Sequence, residues 1–244
     1  MSQNRVLVLM AGGYPVEAVQ KHLLAVNGLR LFERIIDAVP ADTVWIVHNQ
    51  WNQGWWNNWL HENVTTTFKD KSISTFLDQQ DRNGQVNNPS LWMTSAFPAL
   101  SSHRVFTEVI FSAIDSYFEN FNFMDRLMEQ EHAIVVAKGD MLGRPALTLD
   151  WKGKIKTPPY VCGTLNVHSE GWVFTDMMKT TVKQLSKYGQ FQRGTMGDVI
   201  SLMMLKGTVF KAVKAKGVYL DCGTVEGLHK AEHLKGLATK GVVV

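Results

Sequence analysis

A chain of 244 residues, 45% hydrophobic and 19% charged, can bury a core of its own and suits a single domain over 1–244 with a loop insertion at 85–104. Its 25 basic and 22 acidic residues leave a net charge of +3, too small and too dispersed to point to nucleic acid. Cys162 and Cys222 stand in apolar runs without metal-ligand spacing, no run approaches a membrane span and no signal-type stretch leads the chain, so free thiols and a cytoplasmic setting without a membrane partner are expected.

Arg5-Val-Leu-Val-Leu-Met10 is an unbroken apolar run, the pattern of a parallel strand buried on both faces. It ends in Ala11-Gly12-Gly13. Two glycines after a buried strand permit close backbone approach, so that successive N–H groups can converge on a phosphate; the same pair also serves an ordinary tight turn. Lys21 follows, then a helical stripe over 31–39 with apolar residues at 31, 32, 35, 36 and 39, and a second buried strand, Thr43-Val-Trp-Ile-Val47. The unit reads β–loop–α–β.

With Ala11-Gly12-Gly13, Lys21 and Leu23-Leu-Ala-Val-Asn-Gly28 in this order, the chain resembles the sugar-phosphate nucleotidylyltransferases. The short interval between Gly13 and Lys21 is similar to that of the molybdenum-cofactor guanylyltransferases within that group. The resemblance implies a three-layer Rossmann-like α/β sandwich with a mostly parallel central sheet, of the nucleotide-diphospho-sugar transferase type. It also implies that Ala11, Gly12, Gly13 and Lys21 bind nucleotide, Lys21 by touching its phosphates.

Further along, Trp51, Trp55 and Trp59 are spaced by four and line one face of a helix, expected to cover the sheet. Ser72-Ile-Ser-Thr-Phe-Leu77 reads as a third strand and runs into a polar loop whose Gln79 and Gln80 are candidate base readers, since amides pair with base edges. The Asn-, Ser- and Pro-rich residues 85–102 read as loop. Apolar pairs at 105/106, 109/110, 113/114 and 117/118 predict an amphipathic helix over 105–118.

Ala133-Ile-Val-Val-Ala137 is a clean strand followed by Lys138-Gly139-Asp140, and a carboxylate just beyond a parallel strand stands where open α/β sheets hold ligands. The resemblance makes Asp140 a magnesium ligand. It likens residues 160–167 to a sugar-binding strand, with Gly163 admitting the sugar and Glu170 near it. A helix over 197–205 and a strand over 209–213 are expected next. Last comes the strand Val218-Tyr-Leu-Asp-Cys-Gly-Thr224, in which Asp221 matches the family's second magnesium-binding aspartate.

The implied function joins a sugar 1-phosphate to a nucleoside triphosphate, giving a nucleoside-diphosphate sugar and pyrophosphate, with Mg²⁺ as cofactor, Lys21, Asp140 and Asp221 as catalytic residues, and a homo-oligomer left open. Two departures stand against it. Residues 14–20, Tyr-Pro-Val-Glu-Ala-Val-Gln, carry an acid and lack the arginine usual in that loop, and no Glu-Lys-Pro segment occurs. Arg104 or Arg144 could supply the missing charge. The alternatives are a catalytically silent nucleotide- or sugar-binding domain and a glycosyltransferase of the same fold, the latter disfavoured by the absence of any Asp-x-Asp.

Overall fold

In a computed structural model, the described residues are 4–11, 23–26, 29–49, 52–63, 67–68, 70–77, 100, 105–138, 146–156, 160–161, 164–165, 171–188, 196–223, 227, 230 and 237–239. The strands are β1 (Arg5–Ala11), β2 (Leu24–Val26), β3 (Leu29–Arg30), β4 (Thr43–His48), β5 (Thr67–Phe68), β6 (Lys71–Leu77), β7 (Glu108–Ala113) and β8 (Ser116–Phe118). They continue as β9 (Ala133–Lys138), β10 (Ala146–Leu147), β11 (Tyr160–Val161), β12 (Thr164–Leu165), β13 (Trp172–Thr181), β14 (Lys211–Lys214), β15 (Tyr219–Asp221) and β16 (Leu237–Thr239). Helix α1 covers Leu31–Ala38 and α2 Gln53–Asn63.

One sheet organises the molecule, in the order β14-β9-β13-β7-β1-β4-β6-β5, with β10 beside β13. The pairings β1–β4, β1–β7, β4–β6 and β9–β14 are parallel. The long β13 is antiparallel to both β7 and β9, so β9 and β14 run the same way as β1. The expected parallel order of the strands near 5–10, 43–47, 73–77 and 133–137 is therefore borne out, and all four end at one edge.

Strand alternation sorts the apolar runs into two layers. Leu7, Leu9, Val44, Ile46, Ile110 and Val135 pack with Phe32, Ile35 and Ile36 of α1 and Trp56 and Trp59 of α2. Their neighbours Val6, Val8, Trp45, Val47, Val109, Phe111, Ile134 and Val136 face Leu185, Val199, Ile200 and Met203 of the helices Val182–Ser186 and Met196–Leu205. The three-layer α/β sandwich follows from strands apolar on both faces.

Three local expectations are corrected. Residues 105–118 are not a helix: β7 leads through a turn at Ile114 and Asp115 into β8. Adjacent apolar pairs suit a helical stripe, and they suit equally a central strand that sends Val109 and Phe111 to one layer and Ile110 to the other. The buried Glu108 inside this run is answered by Lys179 Nζ at 2.6 Å and Arg5 Nε at 2.7 Å. In α2 the buried tryptophans are Trp56 and Trp59, three apart, with Trp55 half-buried; Trp51 lies outside the described residues. The covering role holds, because Phe32 meets the rings of Trp56 and Trp59 edge-on at 5.0 and 5.1 Å. Residues 160–165 form no long strand, only the short pair β11–β12, and the strand lying between β7 and β9 is β13. The strand expected over 209–213 lies at Lys211–Lys214 in the main sheet, and the strand expected from Val218 is present as β15, Tyr219–Asp221, paired with β8 outside that sheet and followed by a turn.

Candidate active site at the carboxyl edge

The carboxyl ends of β1, β4, β6, β7 and β9 share one edge, where a parallel sheet holds ligands. Of the expected site residues, Ala11 and Asp221 are described. Ala11 closes β1, buried, and its carbonyl accepts a hydrogen bond from Asn52 Nδ2 at 2.9 Å. Gly12, Gly13, Lys21, Gln79, Gln80, Asp140, Gly163 and Glu170 lie outside the described residues, as do Arg104, Arg144 and Cys162. The strands that lead into three of these positions end together: β1 before Gly12, β6 before Gln79 and β9 before Asp140.

Asp221 reaches the same edge from the far end of the chain. β15 pairs antiparallel with β8, Asp221 opposite Ser116, and β8 begins just beyond the carboxyl end of β7. The carboxylate is buried, and its Oδ1 accepts the Gly223 N–H at 3.0 Å, which fixes the turn after β15. Ser116 Oγ donates to the Thr175 carbonyl at 3.2 Å, and Thr175 Oγ1 donates to the Val135 carbonyl at 2.8 Å. These bonds hold β8 against a bulge in β13, where the three residues between Phe174 and Met178 stand opposite the single Val135 of β9 and Asp176 takes a φ of 55°.

The structure adds an acid that the sequence reading missed. Asp115 sits in the turn just past β7, buried, and its carbonyl accepts the Cys222 N–H at 3.0 Å. Asp115 and Asp221 therefore stand one position apart on paired segments at the edge. β7 is the direct neighbour of β1, and the Ile114 N–H donates to the Met10 carbonyl at 3.4 Å. Asp140 follows β9, which β13 and β7 separate from β1, a span of about 14 Å at the usual strand spacing. Expecting a helix over 105–118 hid Asp115; a carboxylate directly after a strand was the available signal.

Burial, with the Asp115 carboxylate adding to it, pushes the Cys222 thiol up to about 12, so the expected free thiol is present and unreactive at neutral pH. His48, buried at the end of β4, has its imidazole held below the ordinary range by desolvation, against a smaller opposing effect of the Asn49 carbonyl 3.0 Å from Nδ1. Asn49 Oδ1 accepts the Asn52 N–H at 3.1 Å, which ties the β4 end to the start of α2 and, through Asn52, to Ala11.

Among the described residues no three His, Cys, Asp or Glu side chains group to hold a metal, and no helix is long and apolar enough to cross a membrane. What the edge offers a cation is buried carboxylate oxygen from Asp221 and Asp115, hard donors of the kind Mg²⁺ takes one or two of.

Solved structures share this architecture. HddC from Yersinia pseudotuberculosis superimposes with a TM-score of 0.67 at 15% identity over 93% of this chain and 97% of its own. Its complex with GMP-PN gives 0.65 at 15% over the same shares, and the inositol-1-phosphate CTP transferase from T. maritima gives 0.67 at 12% over 93% and 92%. The chain therefore has the nucleotidylyltransferase fold, a nucleotide-diphospho-sugar transferase-like sandwich. No protein-family model and no curated protein sequence matches it.

Proposed function

We propose that the protein is a sugar-phosphate nucleotidylyltransferase working at the carboxyl edge of its sheet. The observation that carries this reading is the delivery of Asp221, from a strand late in the chain, to the edge where β1 ends before Gly12-Gly13. HddC has been crystallised with GMP-PN, and the T. maritima neighbour is an inositol-1-phosphate CTP transferase, which favours a nucleoside triphosphate and a sugar phosphate as the ligand classes here.

In the proposed reaction an oxygen of the sugar phosphate attacks the α-phosphorus of the nucleoside triphosphate. The bond from that phosphorus to the bridging oxygen breaks, and pyrophosphate departs with the electron pair. The attacking phosphate is already ionised, so no protein nucleophile or base is needed. The task is to bring two anions together and to answer the charge that develops. Backbone N–H groups of Gly12 and Gly13 would orient the phosphates and Lys21 would neutralise them, with Gln79 and Gln80 at the base and Gly163 and Glu170 toward the sugar. Mg²⁺, when bound, supplies charge stabilisation at the phosphate oxygens. Asp221 would hold it with one of two acids that follow parallel strands in the sequence: Asp115, after β7 beside β1, or Asp140, after β9, a strand three places from β1. The shorter separation favours Asp115.

The test is direct. The protein is incubated with each nucleoside triphosphate, Mg²⁺ and a panel of sugar 1-phosphates, and pyrophosphate is measured. Release with one pair of substrates, lost in Lys21→Ala and Asp221→Asn, is the expected result. Saturable nucleotide binding without pyrophosphate would replace this reading by that of a silent binding domain, which the lack of an arginine or lysine in residues 14–20 favours.

A further inference from the structure

The opposite edge of the sheet holds a second cleft, of about 530 Å³, lined by Glu131, His132, Gln184, Lys187, Lys206 and Lys211 together with Gln130 and residues 207–209. His132 immediately precedes β9 and Lys211 opens β14, so the cleft lies at the amino ends of these strands. The length of β9 alone, six residues, puts roughly 17 Å between it and the carboxyl edge.

Its lining is rich in donors. Gln184 Nε2 donates to Thr208 Oγ1 at 2.6 Å, so the buried Thr208 hydroxyl, having accepted that bond, retains its own hydrogen to donate. Lys187 Nζ lies 2.8 Å from Gln184 Oε1 and Lys211 Nζ 3.3 Å from the Lys152 carbonyl, each with further N–H bonds to offer. The acid of the group, Glu131, has a side chain 74% exposed to water.

A plainer role for the lysines would be to answer the carbonyl ends of the two helices that stop here. The backbone already does this. After the helix Met196–Leu205, Lys206 N donates to Leu202 O, Gly207 N to Met204 O and Thr208 N to Met203 O, with Gly207 at the positive φ of 92° that such a terminus needs. After Val182–Ser186, Lys187 N donates to Gln184 O and Tyr188 N to Leu185 O. The ammonium groups are not required as caps.

We propose that this cleft is a second binding site, for a small molecule bearing a phosphate monoester, held by Lys187, Lys206, Lys211 and the Thr208 hydroxyl. A cleft of this volume accepts a ligand of sugar-phosphate or mononucleotide size, and ammonium groups with a hydroxyl suit the terminal oxygens of a phosphate. The His132 ring, whose Nδ1 is 2.8 Å from Thr180 Oγ1, is a built-in reporter. Its protonation is held down by burial and by the positive charge of Lys179 and Lys187, against the pull of Glu131, so an anion placed beside it shifts its resonance.

Calorimetric titration of the metal-free protein with ribose 5-phosphate, inorganic phosphate and ribose tests this, with the His132 ring resonance, assigned through His132→Gln, recording location. Expected is saturable binding of ribose 5-phosphate, a shift at His132, and affinity lowered by about tenfold or more in Lys187→Gln/Lys206→Gln, as loss of charge-assisted bonds implies. Tighter binding of the ester than of inorganic phosphate identifies the monoester as occupant, and equal binding identifies the free ion. Binding of ribose as strong as that of its phosphate, no saturation, or affinity unchanged in the double variant overturns the site. Sugar phosphate bound at the carboxyl edge would move neither the His132 resonance nor the affinity of the double variant, so the result stands or falls apart from the reading of that edge.

Discussion

Lys179 shows how a single residue can be decisive. Its side chain is 1% exposed, with Nζ bonded to Glu108 Oε1 at 2.6 Å, to the Met128 carbonyl at 3.1 Å and to the Gln130 carbonyl. Glu108 also takes Arg5 Nε, so β1, β7 and β13 are pinned together at the amino edge. Removing one partner of a buried pair strands the other, at a cost of about 3–5 kcal/mol. Lys179→Met is expected to lose stability of that order in chemical denaturation, and Lys179→Met/Glu108→Gln less than the two single losses added; additive losses would mean that the pair is not coupled. His48 gives a pH dependence. Its proton affinity is lowered in the fold relative to the ordinary value of 6.5, so the unfolded chain binds the proton more readily, and the stability contributed is present above that value and lost as pH falls through it. Melting temperature should drop between about pH 7 and pH 5, with a shallower slope in His48→Gln; His132, lowered likewise, keeps part of the slope.

At the scale of elements, α1 and α2 stabilise the sheet through one aromatic cluster. Trp56 is fully buried, with Phe32 at 5.0 Å and Trp55 at 4.8 Å, both edge-on. Trp56→Ala should cost about 3–5 kcal/mol by the cavity it leaves, whereas Trp151→Ala, on a turn where the ring is 89% exposed, should stay within about 0.5 kcal/mol. Denaturant midpoints of the two variants check this, and a comparable loss at Trp151 would mean its face is covered in solution. The same contrast explains what could be read beforehand. β1, β4 and β9 were legible because strands buried on both faces are unbroken apolar runs closed by Gly, Asn or charge. β7 was not, because Val109-Ile-Phe111 followed by Ala113-Ile114 satisfies the 3.6-residue period as well, and only pairing with β1 on one side and β13 on the other decides for a strand. Misreading β7 concealed Asp115. Asp221 was legible because its Leu-Asp-Cys-Gly-Thr context is a pattern in the sequence itself, while its nearness to Ser116 and Asp115 depends on a pairing between residues 105 positions apart.

The whole molecule places its chemistry by strand direction. Among the described strands, the parallel set β14, β9, β7, β1, β4 and β6, with the long antiparallel β13 inside it, gives the sheet two unlike ends: buried aspartates at one, lysines and a threonine hydroxyl at the other. The proposed function makes a measurable claim about the first end. A ligand that binds only the folded state raises stability by about 2.7 kcal/mol at a hundredfold excess over its dissociation constant. Nucleoside triphosphate with Mg²⁺ should therefore raise the melting temperature, and neither should do so as strongly alone. If Asp221 and Asp115 share the ion, Asp221→Asn and Asp115→Asn each remove the Mg²⁺-dependent part of that rise, and Asp140→Asn leaves it. Two carboxylates near enough to share an ion repel each other when none is bound, so on that arrangement each of the first two variants is expected to melt no lower than the parent protein without ligand. A loss confined to Asp140→Asn and Asp221→Asn would return the second ligand to the strand β9. A rise that survives all three substitutions would remove the metal from this edge.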